Sequence, residues 1–322
     1  MTEQPHLDVT GTVHLADPAA VKNAVLELLQ QRFADVDAAL ISHAFETFEA
    51  LFAGLLPGYH GCDTWYHDAQ HSLDATLAFA RLLDGYEQSV PPAERLGTDR
   101  AMLGVIIALF HDAGYVRSER DVGHANGAEF TLCHVARSGA FISDFLQDTP
   151  LAEQAETARQ IVHFTGYEIA LDKIQVHDPR DRHLGFFLGT ADLLAQMADA
   201  CYLEKCWHHL YREFSICGLA GEPRPGRPAP VYSSAEDLLR KTPDFNRMVW
   251  KDRLDGYFDG CYRYLTAHFN GDNPYVNAID RHVARLDHLL ADGALHELAE
   301  EPEVIRAAQL RSGRGAATQG AR

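Results

Sequence analysis

The chain has 322 residues, 46% of them hydrophobic and 23% charged, which suits a globular protein with a sizeable core. Its 46 acidic side chains outnumber 28 basic ones, for a formal net charge of −18. Such a surface repels a phosphate backbone, which argues against nucleic acid as a partner; a phosphate-bearing small molecule is acceptable only where a divalent metal reverses the local sign.

Met1 to Pro18 holds no basic flank leading into an apolar stretch, so no signal peptide is expected. No window reaches the roughly 18 apolar residues of a membrane span. The longest apolar run, Val105 to Phe110, stops at His111-Asp112. Six cysteines without a Cys-x-x-Cys pair read as reduced thiols, and the protein reads as cytoplasmic and independent of membranes.

Helical periodicity dominates, and no strand-like alternation stands out, so the expected class is all-α, a multi-helix bundle. Residues 19–57 give two helices, through Val21, Val25 and Leu29 and then Phe45, Phe48 and Phe52. Asp63-Thr64 reads as the start of a third, running through Leu73, Leu77 and Leu83 to Gly85, before a loop at Val90-Pro91-Pro92. Residues 99–112 form an apolar helix that must be buried nearly all round, with Gly114 as its stop. Further helices are expected at about 125–147, 151–165 and 184–214. Gly221–Pro230 is a proline-rich loop and a candidate lid. Helices resume at 234–241, 244–269 and 274–291, and the small polar residues Arg311–Arg322 read as a disordered tail. The organisation is a helical segment over 1–57, a core over 58–215, and C-terminal helices over 216–310.

Polar residues break this apolar pattern at three places. In Tyr66-His67-Asp68-Ala69-Gln70-His71-Ser72-Leu73-Asp74, a helix would set His67 and His71 one turn apart on one face, with Asp74 a turn beyond. A neutral imidazole ligates borderline metals well, and Asp74 would hold the second nitrogen of His71. The apolar helix ending in His111-Asp112 is the sharpest signal, because an unpaired buried carboxylate costs several kcal/mol and a cation removes that cost. Asp192, flanked by Ala191 and Leu193 on another buried helix, needs a partner for the same reason.

The order His … His-Asp … Asp, with 40 positions from His71 to His111 and 80 from Asp112 to Asp192, resembles the HD superfamily of metal-dependent phosphohydrolases over roughly residues 60–200. The resemblance implies His71, His111, Asp112 and Asp192 as metal ligands. Tyr66-His67-x-x-x-His71-x-x-Asp74 is further similar to the Tyr-His-Asn-x-x-His-x-x-Asp segment of the cyclic-nucleotide phosphodiesterases, with Asp68 standing in the asparagine position. That similarity implies His67 as general acid for a departing alkoxide, and a water activated by metal at Asp112 as nucleophile. Dinuclear members carry two extra histidines before the last aspartate. Here they would be His124 and His163, with Asp112 bridging two ions of Fe, Mn, Zn or Mg.

The expected function is therefore metal-dependent hydrolysis of a cyclic nucleotide or similar small phosphodiester. Alternatives that keep the fold are a diiron oxygenase, a nucleotide phosphomonoesterase, and a non-catalytic ligand sensor. Self-association into a homo-oligomer is left open by the sequence.

Overall fold

A computed structural model describes residues 6–223, 228–303 and 305–306. Among them the architecture is all-α, with isolated β-bridges such as Leu7 with His14 and no strand or sheet. The helices are α1 (Pro18–Arg32), α2 (Ala38–Ala53), α3 (Ala69–Ser89), α4 (Thr98–Phe110), α5 (His134–Leu146), α6 (Ala155–Ile161), α7 (Pro179–Ala198), α8 (Tyr202–Lys205), α9 (Tyr211–Cys217), α10 (Ala235–Met248), α11 (Tyr264–His268) and α12 (Pro274–Ala291). The expected disorder of Arg311–Arg322 lies outside the described residues, as do residues 224–227 of the proline-rich loop.

Local sequence sets most helix starts. Asp17-Pro18, Asp178-Pro179 and Asn273-Pro274 each place a side-chain oxygen on a free backbone N–H while proline fills a position that needs no donor. Asp37 and Ser234 cap α2 and α10 in the same way.

α3 is the central element, packed against α7, α11, α1 and α4, and Ser72 through Glu87 are buried without a break. α4 is buried from Ala101 to Phe110, as its composition required. No helix among the described residues is long and apolar enough to cross a membrane, and all six cysteines are free thiols.

Several expected helices are shorter than their periodicity suggested. The segment expected at 125–147 is helical only from His134, after a short 3-10 turn at Gly127–Phe130 closed by a capping box between Asn126 and Glu129. The expected 184–214 helix breaks at Asp199, whose backbone is extended and whose side chain accepts from Cys201 N. Beyond it, Cys206–Leu210 forms a π-helical turn that joins α8 to α9. Conversely, α10 runs through Pro243 and continues as a π-helix to Tyr257.

At Gly85, an added Cβ would fall 1.9 Å from the carbonyl oxygen of Tyr264, so the absence of a side chain lets α11 lie directly on α3. Gly85→Ala is expected to destabilise the fold by about 1–3 kcal/mol, because a backbone carbonyl cannot rotate away as a side chain can. Urea unfolding reads this directly; an unchanged midpoint would mean that α11 does not seat there.

Candidate metal centre

The centre forms where α4 ends. His111 closes that helix, and its Nδ1–H donates to Ala108 O at 2.7 Å, which fixes the ring and leaves Nε2 facing inward. Asp112 follows with φ −106° and ψ 9°, turning its carboxylate back toward the same point. His71 comes from the first turn of α3, and Asp192 from the middle of α7, the helix packed on α3.

Four side chains distant in sequence thus meet. His71 Nε2 lies 3.1 Å from Asp192 Oδ1 and 3.6 Å from Asp112 Oδ2, while His111 Nε2 lies 3.3 Å from Asp112 Oδ2 and 3.6 Å from Asp192 Oδ1. His111 Nε2 and Asp112 Oδ2 are sealed from solvent yet have no hydrogen-bond partner of acceptable geometry. Buried polar atoms are rarely left so. One ligand atom from each of His71, His111 and Asp112 fits within 4.8 Å of the other two, a spacing that can hold a metal ion.

The electrostatics agree with a cation site. Burial opposes ionisation of Asp112 and Asp192, but the surrounding imidazoles outweigh it and hold both carboxyls well below the usual range. Burial likewise opposes protonation of His111, and the same carboxylates raise it well above a normal imidazole. A dication would replace those protons.

His67 and Glu213 form the second part of the site. The helix expected to begin at Asp63-Thr64 begins instead at Ala69, because the preceding backbone is occupied elsewhere. Trp65 N and Tyr66 N each donate to Glu213 Oε1 at 2.6 Å, and His67 N donates to it at 3.3 Å. Asp68 then caps α3 by accepting from His71 N at 3.1 Å, a role its amide analogue also fills. His67 is consequently outside the helix, yet its ring centroid stays 6.0 Å from that of His71. Its Nδ1–H donates to Glu213 Oε2 at 2.6 Å, and its face stacks on Tyr115 at 4.4 Å. Burial lowers the His67 pKa, but the Glu213 carboxylate more than offsets this and raises it to about 9.

His134, at the start of α5, also reaches the centre. Its Nδ1–H donates to Thr131 O at 2.8 Å, its ring stacks on Tyr115 at 4.3 Å, and its Nε2 lies 3.7 Å from Asp112 Oδ1. Asp112 therefore faces His71 and His111 with one oxygen and His134 with the other. Burial pushes His134 down to about 4 despite Asp112, so it is a neutral imidazole at physiological pH.

Other expected residues are placed elsewhere. His124 is exposed in the turn before α5 and packs on Phe130 at 4.8 Å, because that stretch is not helical. His163 is buried on a 3-10 turn after α6, with Nδ1 unpartnered and no hydrogen bond or ring contact to the cluster. Burial and Arg159 lower its pKa. Asp74 makes no hydrogen bond to His71; it lines a different cavity, so it does not orient that ligand. Glu213 was missed, since its partners lie 146 to 148 positions away and no neighbouring residue marks it.

The cluster opens into a cavity of about 420 Å³. His67, Asp112, His134 and Asp192 line one end, and Tyr202, Leu210, Phe214, Tyr232 and Phe245 line the other. Among the described residues, no lysine or arginine lines it. Lys205 instead pairs with Asp199, and Arg212 stacks over Trp65.

Compared with known proteins, the chain matches no family model, no curated protein and no solved structure.

Glu213→Ala would leave three buried or part-buried N–H groups and the His67 ring without their acceptor, and is expected to cost about 3–5 kcal/mol. A histidine whose folded pKa is raised stabilises fully below its unfolded value and ceases to do so as pH rises through the folded value. For His67 that window runs from 6.5 to about 9. In metal-free protein, the stability advantage of wild type over Glu213→Gln should shrink across this window by up to about 3 kcal/mol. A difference that stays constant with pH would dismiss the ion pair.

Proposed function

We propose that the chain is an HD-type metal-dependent phosphohydrolase that cleaves a small phosphodiester of the cyclic-nucleotide kind. The observation that carries this reading is the His67–Glu213 pair: a histidine held protonated beside a cluster of metal-ligating side chains, at the wall of a cavity. Diester cleavage needs a proton for the departing alkoxide, whereas oxygenase chemistry does not require an acid at that point.

The residues fit a metal, on the unpartnered His111 Nε2 and Asp112 Oδ2 and on the mixed imidazole and carboxylate donor set. His71, His111, Asp112 and Asp192 would hold it, and the free face of Asp112 with neutral His134 would suit a second ion. When bound, such an ion polarises the phosphoryl group and lowers the pKa of water. The chain supplies the rest. His67 delivers a proton from Nε2, the nitrogen not engaged by Glu213. Glu213 fixes the ring and balances its charge. The aromatic end of the cavity receives the organic part of the substrate and keeps water from it. Among the described residues the wall carries no lysine or arginine, which suits a diester monoanion better than a monoester dianion.

Elemental analysis of purified protein, with hydrolysis of bis(4-nitrophenyl) phosphate and cyclic AMP on the same sample, tests this. His71→Ala and Asp112→Ala should lose metal and turnover together. His67→Ala should keep metal and lose roughly 10²- to 10⁴-fold in kcat. Hydrolysis by metal-free protein would sink the scheme, and bound iron without hydrolysis would favour the oxygenase. In the active enzyme kcat should fall on the alkaline side as His67 loses its proton, and Glu213→Gln should move that limb to lower pH. An unmoved limb would assign the acid to another group.

A further inference from the structure

A second cavity shares no lining residue with the first. It measures about 930 Å³ and lies between the N-terminal hook Leu7–Leu15, the first turns of α3, the Ala198–Ala200 link after α7, and the N-terminal half of α12. Several carboxylates line it, and their partners decide what it can bind.

Asp8 is satisfied: it accepts from Arg81 Nη2 at 2.6 Å, from Thr10 Oγ1 at 2.6 Å, and from the backbone N–H groups of Thr12 and Val13. Asp199 pairs with Lys205 and accepts from Cys201 N. Asp272, exposed at the rim, accepts from Asn277 Nδ2. Asp74 is different. It is 6% exposed and lines the cavity, and among the described residues its buried Oδ1 has no hydrogen-bond partner. Burial, then Asp199, then Asp8 push its pKa up to about 8 against the opposing pull of Arg81 and Lys205. An unpaired carboxyl so placed stays neutral or takes a cation.

The rest of the wall narrows the choice of cation. Leu7, Val9, Leu15, Ala198 and Ala278 give it apolar surface. An inorganic dication such as calcium needs about six to eight oxygen ligands, and the Asp8 and Asp199 carboxylates are already committed to Arg81 and Lys205. An anion would face the carboxylates directly. Among the described residues of the wall, Asp74 alone offers a buried, uncommitted carboxyl oxygen, which matches one positive charge and not a polycation. We propose that this cavity is a binding site for an organic monocation, an alkylammonium whose charged head pairs with Asp74 and whose chain lies along the apolar wall. The site is independent of the phosphohydrolase reading.

Isothermal titration of the full, metal-loaded protein with hexylammonium, and with hexanol as its uncharged counterpart, tests the proposal without any variant. Hexylammonium should bind at least tenfold more tightly than hexanol. Binding should release a proton below pH 8, so the affinity should rise with pH up to about 8 and then level off. Asp74→Asn should lower the affinity at least tenfold with metal content unchanged, whereas Asp272→Asn at the rim should alter it less than twofold. Equal binding of hexanol, no proton release, an Asp74→Asn protein that binds as wild type, or displacement of hexylammonium by millimolar magnesium or potassium would each overturn it.

Discussion

Glu213 accepts from three consecutive backbone N–H groups and from the ring of His67, and it does so with no exposure to water. In a medium of low polarisability, such a carboxylate is tolerable only when every lone pair is used, and here nearly all are. The consequence reaches the whole face that carries the cluster. The bonds hold Trp65–His67 in a bend outside the helix, delay α3 to Ala69, let Asp68 cap it, and so place His71 on its first turn. His67 remains outside the helix, free to face the cavity.

The cluster beyond it has a different character, since two of its buried polar atoms are not satisfied internally. Each of two imidazoles lies 3.1 to 3.6 Å from both carboxylates, with two of the cluster's atoms sealed and unpartnered. A protein tolerates such an arrangement when something else completes it. The apolar body of α4 contributes by denying water to His111 and Asp112, and the helix end contributes by favouring positive charge. The same burial that makes the residues expensive makes them selective for a cation.

How much of this was legible in sequence depended on how local its cause was. The Asp-Pro and Asn-Pro starts, the buried run from Ala101 to Phe110 and the His-Asp pair at its end are written in adjacent residues. The start of α3 was misjudged because the acceptor for its leading backbone sits near residue 213. His124 looked eligible by order alone, but a capping box and a 3-10 turn put it on the surface. His134 carried no signal, because both Tyr115 and Asp112 reach it only once Gly114 lets the backbone of α5 close in; an added Cβ there would fall 1.9 Å from His134 O. The break at Asp199 was hidden by residues that suit a helix on either side.

The π-helical turn at Cys206–Leu210 bears on how such a site could arise. A π turn takes up about one residue more than an α turn, so winding the same residues as an α turn would shift the phase of everything after them by about one residue, roughly 100°. Glu213 lies three residues downstream. With an α turn at Cys206–Leu210 its azimuth would pass to a neighbour, Arg212 or Phe214, neither of which can accept from Trp65, Tyr66 and His67 together. The phase of this one helix thus decides whether a carboxylate stands behind Trp65–His67.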